Sequence, residues 1–184
     1  MKLSVFNRSG YHNIQYEDWP VDCLLRYLEK KQKMLLSSMA PAILSGIRTL
    51  NTNKSGESAW FRQLDDLFTS SINRLVIQIA RQNQYLLPCA NHLTVATERE
   101  LPLNTHLVSV VYDAMDYLRQ DLAIQKRIFE LIRSTLKDSR SDHRPAFNAR
   151  LFSSIQLFET ELFTILELQR KVLYPKIFRM ASRL

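Results

Sequence analysis

The stretch VSVVYDAMDYLRQDLAIQKRIFELI, residues 108–132, decides the fold class. Val108, Val111, Met115, Leu118, Leu122, Gln125, Phe129 and Ile132 alternate spacings of three and four residues. That period winds one stripe down an α-helix, whereas a half-buried strand alternates every second residue. Asn104 or Thr105 can cap the start, because a short polar side chain accepts a hydrogen bond from a first-turn N–H. The same spacing returns in Phe147, Leu151, Ile155, Phe158, Leu162, Ile165, Gln169 and Val172, ahead of Pro175.

Upstream, Asp18-Trp19-Pro20 reads as a helix start, with proline near the first turn where its missing N–H costs nothing. Leu25, Leu28, Leu35, Met39 and Ile43 carry this first helix to about Leu50, with Pro41 expected to kink or tighten it. Asn51 to Gly56 is a turn by composition. A second helix is expected from about Ser58 to Leu87, stopped by Pro88, followed by a connection from Cys89 to Asn104. Lys137 to His143 forms the last polar turn.

Four long segments joined by polar turns predict an all-α, antiparallel up-down-up-down four-helix bundle. Residues 1–17 form a leader and 18–184 the bundle, with hairpins over about 20–88 and 104–180. The hairpins end in similar tags, Tyr85-Leu-Leu-Pro88 and Val172-Leu-Tyr-Pro175, which suggests an internal repeat of helical pairs.

Composition agrees. A chain of 184 residues can bury a sufficient core without disulfides or a structural metal, and three glycines are too few for the tight turns of an all-β domain. No apolar run approaches membrane-spanning length, and the N-terminus lacks an apolar signal region, so a cytoplasmic protein is expected. The net charge of +7 is spread over every segment. A solvated basic surface accounts for it better than nucleic-acid binding does.

Gln78, Gln82 and Gln169 occupy positions where the stripes call for apolar residues, so their amides are expected to bond to one another or to water. These stretches carry a resemblance. Gln78-Ile-Ala-Arg-Gln82 before the Leu-Leu-Pro tag, and Ile165-Leu-Glu-Leu-Gln169 before the Leu-Tyr-Pro tag, are similar to the His-x-x-x-Glu segments of iron–sulfur cluster repair proteins with a hemerythrin-like domain. Asp18-Trp-Pro-Val-Asp22, Leu25-Arg-Tyr-Leu28, Pro41 and Val108-Ser-Val-Val111 match the same pattern, which covers residues 18 to 178.

The resemblance implies a hemerythrin-like bundle, and it also implies that every ligand of the family's di-iron centre is replaced. The histidine positions correspond to Lys33, next to Gln32, and to Gln78, Met115 and Ile165. The bridging carboxylates correspond to Gln82 and Gln169. No catalytic, cofactor or metal residue is therefore expected. The chain reads as a metal-free, non-enzymatic interaction or regulatory module, with a link to bacterial nitrosative, oxidative or iron stress and an unidentified protein partner. Two alternatives stand beside it. One is a sensor or carrier that takes a metal or small anion among Lys33, Gln78, Gln82 and Gln169. The other is a basic protein associated with nucleic acid.

The remaining chemistry is sparse. His12, His92, His106 and His143 are scattered without partners at metal-binding spacing, and no phosphate-binding loop or nucleophile elbow occurs. Glu159, Glu161, Asp65 and Asp66 read as solvated carboxylates. Cys23 and Cys89 read as free thiols, with a redox pair as the alternative if the hairpin brings them together.

Overall fold

The computed structural model describes residues 15–52, 59–99, 105–138 and 145–183. Among them the chain is all-α. The helices are α1 (Val21–Met34), α2 (Ala40–Thr52), α3 (Ala59–Arg81), α4 (Leu87–Arg99), α5 (Thr105–Asp138), α6 (Pro145–Leu168) and α7 (Tyr174–Arg183). Three π-helical turns, Leu35–Met39, Gln82–Leu86 and Gln169–Leu173, join α1 to α2, α3 to α4 and α6 to α7. The result is four continuous rods. The α1–α2 rod packs on α3 and α6, α5 packs on α3, α6 and α7, and α4 packs on α7.

Each π turn precedes a proline. Ala40, Leu87 and Tyr174 donate their N–H to the carbonyls of Leu35, Gln82 and Gln169, five residues back, and Pro41, Pro88 and Pro175 follow immediately. A proline inside an α-helix has no N–H to donate, and its ring strikes the carbonyl four residues back. One extra residue in the turn displaces that carbonyl, so the rod passes the proline unbroken. This corrects the reading of Pro88 as a stop: the helix continues to Arg99, through most of what reads in sequence as a connection. Pro175 likewise begins no exit, because α7 runs on to Arg183. The repeated tags are thus π-turn endings, and Pro41 marks a third.

The stripes face inward as the spacing requires. Val111, Leu118, Leu122, Gln125, Phe129 and Ile132 are buried, and so are Leu151, Ile155, Phe158, Leu162, Ile165, Gln169 and Val172. Phe68, Phe129, Phe158 and Phe163 form an aromatic cluster across three rods, with Phe68 and Phe158 edge to face at 5.0 Å between centroids. Gly46 permits close packing of α2 on α6, since a Cβ there would lie 3.2 Å from Leu151 Cδ1.

The last residues of the expected leader belong to the fold. Tyr16–Asp18 form a 3-10 turn, and the Tyr16 ring is buried against Trp19 and Tyr27. Lys176 Nζ on α7 donates to the Trp19 carbonyl at 2.8 Å, fastening this turn to the opposite end of the sequence.

Candidate functional site

Four glutamines meet in the bundle interior. Gln82 Oε1 accepts from Gln32 Nε2 at 3.0 Å and from Gln169 Nε2 at 2.7 Å, while Gln78 Nε2 donates to Gln169 Oε1 at 2.5 Å. All four are at least 96% buried. The chain ties α1 to the α3–α4 rod and to the α6–α7 rod. Two of its members, Gln82 and Gln169, are the first residues of π turns. Gln78 Oε1 alone among these amide atoms is sealed from solvent without a hydrogen-bond partner.

The expected positions divide. Gln78, Gln82 and Gln169 come together through hydrogen bonds, and Ile165 on α6 is buried one turn before Gln169. Met115 is half-buried on α5. Lys33 is exposed and does not enter the centre, because Gln32 occupies the inward position on α1. An anion site built on Lys33 therefore lacks its cation. Gln32 is the residue that sequence reasoning passed over, although Leu25, Leu28, Gln32 and Leu35 already stand at spacings of three, four and three.

These residues do not fit a di-iron centre. Two metal ions need imidazole and ionised carboxylate ligands to supply donors and offset charge. Here Gln82 and Gln169 are neutral amides already bonded to one another, and Ile165 has no donor atom. Among the described residues, no three or more His, Cys, Asp or Glu side chains are grouped as a metal would require.

Beside the glutamines lies a pocket of about 440 Å³ between α3, the Gln82–Leu86 turn, α5 and α7. Gln78 and Gln82 line its inner wall, and Leu86, Leu118 and Tyr174 add apolar surface. Near the rim, the Arg81 guanidinium lies 3.6 Å from the centroid of the Tyr117 ring. Burial pushes the Tyr174 hydroxyl well above the usual tyrosine range, so it stays protonated.

Two further polar features lie on the α3–α5 contact. Ser71 Oγ donates to Gln125 Oε1 at 2.8 Å, and Gln125 Nε2 donates back to the Ser71 carbonyl at 3.0 Å, a closed and fully buried pair. Asp121 is buried with Arg74 Nη1 3.5 Å from Oδ1. Glu161 and Glu159, read as solvated, instead make ion pairs, Glu161 a partly buried one with Lys31 at 2.7 Å and Glu159 one with the exposed Arg133. Both pairs tie separate rods together.

Of the histidines, His92 is exposed on α4; His12, His143 and the side chain of His106 lie outside the described residues. Cys23 and Cys89 are free thiols with separate neighbours. Cys23 sits by the Asp22 carboxylate, and Cys89 donates to the Leu107 carbonyl at 3.7 Å.

Compared with family models, curated proteins and solved structures, the chain matches none of them.

Proposed function

We propose that this chain is a metal-free member of the hemerythrin-like class, an antiparallel up-down-up-down bundle acting as an interaction or regulatory module rather than as an enzyme. The observation that carries the reading is the Gln32–Gln82–Gln169–Gln78 chain of hydrogen bonds. Three of its members, Gln78, Gln82 and Gln169, stand at positions that the sequence resemblance aligns with metal ligands, and the chain satisfies most of its polar atoms internally. A polar network of this kind links rods and fixes their register without an ion.

No described helix is long and apolar enough to cross a membrane. A cytoplasmic, bacterial setting with a role in nitrosative, oxidative or iron stress, and a protein partner, complete the proposal on the strength of the sequence resemblance.

Elemental analysis for iron, zinc and manganese, on protein purified without chelator, tests this reading together with the visible spectrum. The expected result is far less than one metal atom per chain and a featureless spectrum. Two irons per chain with an oxo-bridge absorption band would overturn it.

A further inference from the structure

The pocket beside the glutamine chain has the features of a small-molecule site. Its volume of about 440 Å³ falls within the range of ordinary ligand sites, roughly 300–1,000 Å³. Its lining joins apolar side chains to a few convergent polar groups, as such sites usually do. The feature that points to a ligand is Gln78. Its Nε2 is committed to Gln169, its Oε1 has no partner, and the residue is 3% exposed while lining the pocket. A buried carbonyl oxygen without a donor carries a desolvation cost that an incoming N–H or O–H removes.

The other groups narrow the chemistry. Tyr174 lines the same pocket with a protonated hydroxyl that donates to no residue among those described, so an acceptor on the ligand suits it. Arg81 and Asp113 both line the pocket with opposite charges, so the lining carries no net charge. The Arg81 guanidinium is already stacked on Tyr117.

We propose that this pocket binds a small uncharged molecule with a ring-sized apolar body and a head group that both donates and accepts, such as an aromatic carboxamide. A rotation of the Gln78 side chain brings its sealed Oε1 to the ligand's N–H, the carbonyl accepts from the Tyr174 hydroxyl, and the ring lies against Leu86 and Leu118. The proposal rests on the metal-free reading, because it needs Gln78 Oε1 free of a metal ion. Its test is run in excess EDTA with metal content measured on the same sample. Iron in the preparation would count against that reading alone, and the ligand result would stand by itself.

The probes are benzamide, benzoate and benzylamine, three molecules of one size that differ in head group. They are titrated into the full chain and followed by NMR of the glutamine side-chain amides. Benzamide is expected to saturate with shifts at the Gln78 amide, and the two ions to bind at least about tenfold more weakly, the factor one ordinary hydrogen bond supplies. Ala114→Phe, which fills the pocket from α5, is expected to abolish binding. Gln78→Glu is expected to reverse the preference toward benzylamine, a gain that a folding defect cannot imitate. Failure of all three probes to saturate at millimolar concentration would overturn the proposal, as would benzoate binding best or an unchanged preference in Gln78→Glu.

Discussion

Asp121 on α5 faces Arg74 on α3 with 3.5 Å between Oδ1 and Nη1, yet neither carboxylate oxygen accepts a hydrogen bond. The carboxyl side chain is 2% exposed and the guanidinium side chain 26%. Burial raises the pKa of Asp121 above the usual carboxylate range, and attraction to Arg74 and Arg81 offsets that only in part.

This relationship gives a pH prediction. A carboxyl whose folded pKa exceeds its unfolded value binds a proton more readily in the native state. Its contribution therefore favours folding at low pH, and is lost as pH rises from about 4 through the raised native value. Asp121→Asn is expected to raise Tm by a few degrees at neutral pH, with the gain shrinking as the pH approaches 4. Arg74→Ala leaves the buried charge with only the attraction of Arg81 and is expected to cost about 1–3 kcal/mol at neutral pH. Thermal melts of the three proteins across pH check both. A gain from Asp121→Asn that grows on acidification would refute the account.

The glutamine chain predicts an unequal response to mutation. Gln82 Oε1 serves two donors, so Gln82→Leu strands the amides of Gln32 and Gln169 together. At about 1–3 kcal/mol for each of the two unsatisfied buried groups, the loss is expected to reach roughly 2–6 kcal/mol. Gln78→Leu removes an oxygen that has no partner and strands only Gln169 Oε1, so its cost is expected near 1 kcal/mol. Urea denaturation of both variants would show the order; equal losses would mean that the chain does not share its bonds as described.

The parts of this molecule legible in the sequence are those carried by period. The α5 and α6 stripes place Leu118, Phe129, Phe158 and Leu162 inside because helical spacing leaves no other common face. The polar interior follows the same rule. Leu64, Phe68, Ser71, Leu75, Gln78 and Gln82 continue at spacings of three and four, so Ser71 could have been assigned to the core together with the glutamines. Asp121, three residues after Leu118 and four before Gln125, could have been assigned in the same way. Their partners were not legible, because pairs such as Ser71 with Gln125 join residues on separate rods. The π turns were hidden for a different reason. The rule that proline ends a helix assumes α-type hydrogen bonding, and a single extra residue in the turn removes the clash on which that rule depends.

That dependence can be tested by deletion. Removing the exposed Asn83 takes the extra residue out of the Gln82–Leu86 turn and keeps the register of α4. The Pro88 ring then meets a carbonyl in ordinary α-geometry, at a cost of about 3 kcal/mol. Adding Pro88→Ala to the deletion is expected to restore most of the loss, because alanine supplies the N–H and removes the ring. Stability of the deletion and of the double variant by chemical denaturation decides the matter. A deletion that is harmless while Pro88 is present would show that the proline does not require the π turn.

The two thiols should separate by reactivity. Cys23 is half-buried on α1, whereas Cys89 is 2% exposed, and burial raises its thiol pKa. The thiolate is the reacting form, so both access and ionisation disfavour Cys89. A disulfide reagent such as DTNB at mildly alkaline pH is expected to modify Cys23 quickly and Cys89 only at the rate of opening or unfolding. Cys23→Ser should remove the fast phase, and denaturant should merge the slow phase with it. Two equal fast phases in the native protein would show that the α4 packing around Cys89 opens readily, which its contact with the Leu107 carbonyl argues against.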